Sequence, residues 1–237
     1  MVIKMRNFHW DKDFDSIRRF LGDIFFIQSA YTNWLPTTLE NVKFGPGGTE
    51  YLDEEDENLK IWKDSHQIIA VSFTKPSGAC HLSVHPDYIT HACDIVLWMQ
   101  ERVKELKVGE SVKMNLVVDD ADEELISILS DLGFKKDEIE GDNQIRPLDS
   151  PVPDYTLPEG YSIRNAVIAN EYEKYREVQV AVFPHIKSMS KNLLDTYSAA
   201  SFYQEELDIV AVAPSGKFAA FCTARIDPVS NITELEP

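Results

Sequence analysis

Residues 79–118 read ACHLSVHPDYITHACDIVLWMQERVKELKVGESVKMNLVV, and this stretch decides the fold. Ala79–His85 is typical of a strand, and Thr90–Leu106 places apolar residues at helical spacing. Val112–Val118 is rich in β-branched residues, which favour a strand. Two strands joined by a helix of this length are parallel neighbours with a right-handed crossover. The stretch therefore predicts an α/β domain with a mixed sheet and a ligand crevice at the carboxyl end of its first strand.

The residues before this stretch add a strand, two helices and a hairpin. Val2–Phe8 predicts a short strand, and Asp11–Phe25 has its apolar residues on one side of a helix. Thr37 can cap a second, short helix. Leu59–Lys63 and Gln67–Thr74 predict two strands joined by a tight turn.

The residues after this stretch repeat the same order of elements. Asp122–Leu132 predicts a helix ended by Gly133, and four prolines within residues 147–160 indicate an extended linker over residues 148–159. The pattern then restarts with a strand over Tyr161–Asn165, helices over Ala169–Val182 and Ser190–Ser198, hairpin strands over Asp208–Ala213 and Phe218–Ile226, and a last strand over Thr233–Pro237. We therefore predict two tandem copies of one architecture: a domain over residues 1–147 and the first half of a second domain over residues 160–237.

Composition narrows the class of protein. The net charge of −17 argues against nucleic acid or an anionic membrane as a partner and suits a cationic amine, although solubility alone also explains it. No apolar run is long enough to span a bilayer, and the N-terminus lacks the apolar core of a signal peptide. Cys80, Cys93 and Cys222 fit thiols in a reducing cytoplasm better than a disulfide framework. We expect a cytoplasmic protein.

Three short stretches carry a family resemblance. Leu82–Tyr88, Leu132–Lys136 and Leu157–Arg164 stand in an order and at a spacing that resemble the GNAT superfamily of acetyltransferases, and the match in element order covers nearly the whole chain. The resemblance implies transfer of an acetyl group from acetyl-CoA to the amine of a small molecule or peptide, with no metal. It places catalysis in the complete second domain, and we expect the chain as given to be inactive.

The acetyl-CoA loop of this family usually reads Arg/Gln-x-x-Gly-x-Gly/Ala after the fourth strand, because glycines let backbone N–H groups approach the pyrophosphate. Here that strand ends at Val84 and His85, and an ungapped match places Ile89, Ala92 and Asp94 at the three motif positions. All three depart from the motif. At roughly 5 Å and an effective dielectric of about 20, the Asp94 carboxylate would repel each ligand charge by about 3 kcal/mol. Asp94 is also explained as an ordinary acid at a helix start.

The second domain stops before its own cofactor loop, if the resemblance holds. Glu234 and Glu236 lie on one face of its last strand, where family members often carry a glutamate that acts as a general base. The alternative for both is a surface glutamate on an edge strand. We also expect the side chains of Phe218–Ile226 to be partly uncovered or buried by another chain, which leaves room for a homo-oligomer.

Two alternatives complete the sequence reading. A non-catalytic scaffold or interaction module is the rival to the acetyltransferase, because both cofactor seats are defective. The two functions can be distinguished by whether the natural gene continues past Pro237 into a glycine-rich segment. A metal site is disfavoured, since His81 and His85 are about 13 Å apart along a strand.

Overall fold

Two separate β-sheets organise the chain. A computed structural model describes residues 2–28, 33–45, 55–106, 113–137, 149–183 and 195–236. Contacts divide the chain into two units: the first holds Met1–Pro36 and Leu52–Gln144, and the second holds Thr37–Tyr51 and Ile145–Pro237. The predicted first domain, residues 1–147, differs from this division at residues 37–51 and 145–147, and the predicted linker, residues 148–159, falls in the second unit.

The order of the elements follows the predicted one closely. In chain order they are β1 (Lys4–His9), α1 (Trp10–Ile27), α2 (Pro36–Phe44), β2 (Glu55–Lys63), β3 (Ile68–Thr74), β4 (Ala79–Val84), a 3₁₀ helix (Pro86–His91), α3 (Ala92–Leu106), β5 (Asn115–Leu116), α4 (Glu123–Asp131), β6 (Ser162–Asn165), α5 (Ile168–Val182), β7 (Asp208–Val212), β8 (Phe218–Ile226) and β9 (Thr233–Glu236). The predicted helix over Ser190–Ser198 lies mostly outside the described residues. Among the described residues, no helix is both long and apolar enough to cross a membrane.

The first sheet has the order β1-β2-β3-β4-β5, with antiparallel pairing up to β4. β5 runs parallel to β4, as Ala79 pairs with Asn115 and Cys80 with Leu116. This confirms the predicted parallel pair bridged by a helix. The predicted strand over residues 112–118 is too long, because, of its described residues 113–118, only Asn115 and Leu116 pair with β4.

The helices α3 and α4 cover one face of the first sheet. Cys80, Leu82 and Val84 of β4 belong to a buried core that includes the apolar side of α3 and reaches Leu125 and Leu129 of α4. Gly133 follows α4 with a φ of +86°, a conformation that favours glycine, as the predicted helix end requires. Because successive strand residues point to opposite faces, the other β4 side chains face away from α3.

The second sheet has the order β6-β7-β8-β9, and all of its pairs are antiparallel. This is the pairing of β1 to β4 in the first sheet. The register also corresponds: Arg6 pairs with Ile61 in the first sheet, and Arg164 pairs with Val210 in the second. Each sheet has a register shift near the end of its second strand, after Trp62 in one and after Ala211 in the other.

Each unit contains the same strand-to-helix ion pair. Arg6 donates two hydrogen bonds of 2.6 Å to Asp13, seven residues later in α1. Arg164 donates two bonds of 2.7 and 2.6 Å to Glu171, also seven residues later, in α5. Paired N–H···O bonds of this kind fix orientation as well as adding energy. The first helix of each unit is therefore held in the same way on its first strand.

Helix α2 is placed with the second sheet by its side-chain contacts. The Thr37 hydroxyl donates to Glu234 at 2.8 Å, and Glu40 accepts from the backbone N–H and hydroxyl of Ser201. The expectation that Thr37 caps this helix is wrong. The helix already begins at Pro36, a residue suited to the first helical position, and the Thr37 hydroxyl is directed to Glu234.

One face of the second sheet is apolar and exposed. Ile163 of β6 and Leu235 of β9 are 58% and 73% exposed. On β8, Ala219, Ala220 and Cys222 are exposed, which confirms the expectation that this strand is partly uncovered. Phe218 is the exception, because Arg164 and Lys174 lie over its ring.

The exposure of β8 predicts the order of cysteine reactivity. Cys222 is exposed, whereas Cys80 is buried and its burial raises the pKa of the thiol to about 11. Since the thiolate is the reactive form, native protein treated with iodoacetamide near pH 8 should be alkylated at Cys222 well before Cys80. Peptide mass spectrometry reads out both sites. If Cys222 is alkylated only after the protein is unfolded, the description of β8 as partly uncovered is wrong.

Candidate functional site

The turn after β4 is where the resemblance places a pyrophosphate seat, and it satisfies its own N–H groups. His85 is the N-cap of the 3₁₀ helix, and its Nδ1 accepts from the Asp87 backbone N–H at 3.2 Å. The Tyr88 N–H donates to the His85 carbonyl at 2.8 Å. Pro86 between them has no N–H. The first N–H groups of this turn are therefore already bonded within the chain, and at the motif position the Ala92 N–H donates to the Ile89 carbonyl.

Side chains also tie this turn to the β2–β3 hairpin. The Tyr88 hydroxyl donates to Asp64 at 2.7 Å, and Gln67 donates to the same hydroxyl at 3.1 Å. The hydrogen bond from Tyr88, followed by those from the Gln67 and His66 backbone N–H groups, lowers the pKa of Asp64 to about 2. The turn is thus fixed at both its backbone and its side chains.

The other residues matched to the cofactor loop serve the core or face solvent. Val84 and Ala92 are buried in the core beneath α3, and the partly buried Ile89 packs against that core. Asp94 lies exposed in the first turn of α3, where an acid stabilises a helix start. None of these side chains offers a donor to a phosphate. The residues present do not fit the acetyl-CoA pyrophosphate.

A cavity of about 420 Å³ lies at the carboxyl end of β4, where the sequence predicts a crevice. It is lined by the second half of α1, by Gln67 and Ile68 at the start of β3, and by His85. Phe20 and Ile24 give it an apolar wall, and Arg19 and Asp23 a charged one. The cavity thus lies towards β3 and α1, rather than between β4 and β5.

On the face of β4 away from α3, His81 is enclosed by aromatic rings. It stacks on Trp34 at 5.3 Å and on Phe73 at 6.4 Å between ring centroids. Burial, and then the positive charge of Lys75, lower the pKa of His81 to about 4, so it is neutral near pH 7. In the described ranges, no three or more His, Cys, Asp or Glu side chains are grouped to hold a metal ion.

In the second unit, the structure brings Glu234 into a polar cluster. One carboxylate oxygen, Oε2, accepts from the Thr37 hydroxyl at 2.8 Å and lies 3.6 Å from Nη1 of Arg225. Glu234 is directly opposite Arg225 across the β8–β9 pair. The backbone of Glu236 pairs with Thr223, which places Glu236 on the same sheet face as Glu234; the structure does not describe its side chain.

Arg225 is a buried cation with aromatic neighbours. Only 7% of it is exposed. Its Nε donates to the Tyr197 hydroxyl at 2.8 Å, and its guanidinium lies 5.4 and 5.3 Å from the ring centroids of Tyr197 and Phe202. These contacts replace part of the water that a guanidinium loses on burial. Arg225, Tyr197 and Phe202 thus form one wall beside Glu234.

A buried carboxylate lies on the same face of the sheet. Asp208 accepts from the hydroxyls of Tyr175, Tyr203 and Thr223, each at 3.0 Å. Burial raises the pKa of Asp208, and the three hydroxyl donors act in the opposite direction. The three side chains that donate hydrogen bonds to Asp208 are neutral, so none of them balances the negative charge of the ionised carboxylate.

Register identifies what stands at these positions in the first unit. Matching Arg6 to Arg164 places Ile17 at Tyr175, Leu59 at Asp208 and Phe73 at Thr223. All three residues of the first unit are fully buried and apolar. Sequence reasoning missed Asp208, Arg225 and their tyrosine partners. The available signal was a charged residue at an inward-facing position of an otherwise apolar strand.

Comparison with known proteins supports the architecture. No protein-family model and no curated protein matches the sequence. A GCN5-related N-acetyltransferase from Sphaerobacter thermophilus matches the structure with a TM-score of 0.59 and 16% identity, over 95% of this chain and 72% of that one. The chain has the fold of a GCN5-related N-acetyltransferase. A glucosamine N-acetyltransferase region of a fungal multi-domain β-N-acetylglucosaminidase matches at a TM-score of 0.48 and 15% identity, over 96% of this chain and 28% of that one, too weakly to establish a shared fold.

The turn after β4 and the Glu234 cluster differ in their chemistry. In the first unit, the turn after β4 is closed by its own hydrogen bonds. In the second unit, the sheet face under α5 carries carboxylates, hydroxyls and a guanidinium. The buried charged groups Asp208 and Arg225 therefore lie together on one face of the second sheet.

The Asp208 cluster predicts an unusual dependence of stability on pH. A raised folded-state pKa means that Asp208 contributes stability below its unfolded pKa of about 3.9, and loses it as pH rises through the folded pKa. Each unit of that difference is worth about 1.4 kcal/mol. We expect the unfolding free energy of Asp208→Asn minus that of the natural protein to increase as pH rises from 4 to 7.

Urea unfolding of both proteins at several pH values measures this difference. The control variant is Asp195→Asn, which also removes one acid but at an exposed position. Acids common to both proteins cancel. A difference that shrinks as pH rises would mean that Asp208 is ionised at little cost, and would contradict this description of the cluster.

Proposed function

We propose that this protein is an acetyl-CoA-dependent N-acetyltransferase that acts on an amine of a small molecule or peptide, and that catalysis belongs to the second unit. The observation that carries this proposal is the polar cluster around Glu234, on the helix-covered face of a sheet with the acetyltransferase fold. The shared strand order and the matching pairs Arg6–Asp13 and Arg164–Glu171 support two tandem copies of one domain.

Glu234 is the side chain that we assign as general base. An ammonium group cannot attack a thioester until it has lost a proton, and a positioned carboxylate, directly or through water, can accept that proton. Glu234 is partly accessible, with 20% of its side chain exposed, and Thr37 and Arg225 fix one of its oxygens. Glu236 lies two residues along the same face and is the second candidate for this role.

The first unit, in this proposal, does not hold acetyl-CoA. In its turn after β4 the Asp87 and Tyr88 N–H groups donate to His85, and Asp94 adds a negative charge in the first turn of α3. The equivalent turn of the second unit would follow β9, which ends at Glu236. The first unit would then shape the acceptor site or an oligomer.

The closed turn also favours a second function, that of a non-catalytic scaffold or interaction module. If neither unit binds acetyl-CoA, the exposed apolar face of the second sheet would serve as a contact surface. The two functions differ in one observable, namely amine-dependent cleavage of acetyl-CoA.

The proposal predicts that Glu234→Gln lowers kcat by about 100-fold or more, the usual contribution of a general base. The assay follows release of the CoA thiol from acetyl-CoA with a panel of primary amines, polyamines, aminoglycosides and peptide N-termini, and uses the protein as its natural gene encodes it. Glu173→Gln is the matched control, because Glu173 is an exposed glutamate of α5. Its kcat should equal that of the natural protein.

Full activity of Glu234→Gln would remove Glu234 from catalysis. Absence of thiol release with every amine would favour the scaffold instead.

A further inference from the structure

The strongest further feature is a pair of polar side chains on α2 that belong to the Glu234 cluster. Thr37 and Glu40 are one helical turn apart and therefore share one side of α2. Thr37 is fully buried, and Glu40 is 2% exposed. Their partners, Glu234 and Ser201, lie 197 and 161 residues later in the sequence. Contacts place all four residues in the second unit.

Thr37 and Arg225 hold the same carboxylate oxygen from two different elements. The Thr37 hydroxyl on α2 donates to Glu234 Oε2 at 2.8 Å, and Arg225 on β8 approaches it at 3.6 Å. The shorter contact is the one from Thr37. A hydroxyl orients a carboxylate without neutralising it, whereas the guanidinium supplies charge. Thr37 is therefore suited to set the direction of Glu234 while leaving it able to accept a proton.

Glu40 fixes the segment on the other side of the cluster. Its two oxygens accept from the Ser201 N–H at 2.6 Å and from the Ser201 hydroxyl at 2.9 Å. Ser201 directly precedes Phe202, whose ring lies against Arg225, and Tyr203, whose hydroxyl donates to Asp208. Helix α2 thus contacts the cluster at two points, one on β9 and one on the segment that carries its aromatic wall.

We propose that α2 is a built-in part of the Glu234 site and that Thr37 is the positioning residue that orients the Glu234 carboxylate for proton transfer. The inference rests on the proposed function, because it assigns Glu234 a catalytic role. It means that residues of the N-terminal third of the sequence complete a site whose other parts lie after residue 195.

The first test compares Thr37→Val, which is nearly isosteric and lacks the donor, with Thr37→Ser, which keeps it. Losing a hydrogen bond to a charged group corresponds to about a tenfold change. We expect Thr37→Val to lower kcat by about tenfold with KM for acetyl-CoA unchanged, and Thr37→Ser to restore it. Thr38→Val, the next residue of α2, is the matched control and should retain the natural kcat.

The pH profile adds a readout that a purely structural role would not change. Loss of a donor to the carboxylate favours its protonated form, so the acid limb of the activity of Thr37→Val should move to higher pH. Among the described side chains, the charged group that lies against Glu234 is Arg225 on β8, and Glu40 stands one turn after Thr37 on α2. They are unchanged in this variant. If Glu234→Gln has low activity but Thr37→Val keeps the natural kcat and pH profile, this inference is wrong, whereas the proposed function is not contradicted.

A second measurement is independent of activity. Urea midpoints are compared for Thr37→Val, Glu234→Ala and the double variant. If the contact exists in solution, the two substitutions are not additive, and the second shifts the midpoint less once the first is made. Additive shifts would overturn the inference even if no amine substrate is found.

Discussion

The structure depends on one repeated interaction, the two-bonded pair between an arginine of the first strand and a carboxylate of the first helix. Arg6 and Asp13 form it in the first unit, and Arg164 and Glu171 in the second. Burial opposes ionisation of Asp13, but the bonds from Arg6 and from the His9 N–H outweigh it and lower the pKa of Asp13. Because the pair fixes each helix against its sheet, it also fixes which strand residues face that helix.

What differs between the units is the chemistry on that face. At the positions of Tyr175, Asp208 and Thr223 the first unit has Ile17, Leu59 and Phe73, which are buried and apolar as in a core that serves stability. The second unit places Asp208, Arg225 and Glu234 there, and each of these groups loses hydration on burial. Hydroxyl donors and aromatic rings offset that loss, but apolar residues of similar volume would commonly be at least as stabilising. Polar groups kept at such a cost point to a function for this face of the second sheet.

Sequence alone predicted the elements whose signals are local. The helix over α3, the strands of both hairpins and the glycine at the end of α4 each follow from periodicity or turn chemistry within a few residues. The length of β5 did not, because it depends on how far β4 offers a partner. The ungapped match located the turn after β4, but the bond from the Asp87 N–H to His85 depends on the backbone path. Thr37 and Glu234 lie 197 residues apart, so no local pattern connects them.

The most direct test of this account is titration calorimetry of acetyl-CoA into the 237-residue chain. The turn after β4 bonds its own N–H groups, and Asp94 would repel the ligand, so the first unit should not bind acetyl-CoA with a Kd below about 1 mM. The variant Ala92→Gly with Asp94→Gly then asks whether the charge alone closes the seat. Because His85 still caps the turn, this variant should also give no measurable heat. A micromolar Kd that Glu234→Gln leaves unchanged and the double variant alters would contradict the account, since it would place a functional acetyl-CoA site at the closed turn.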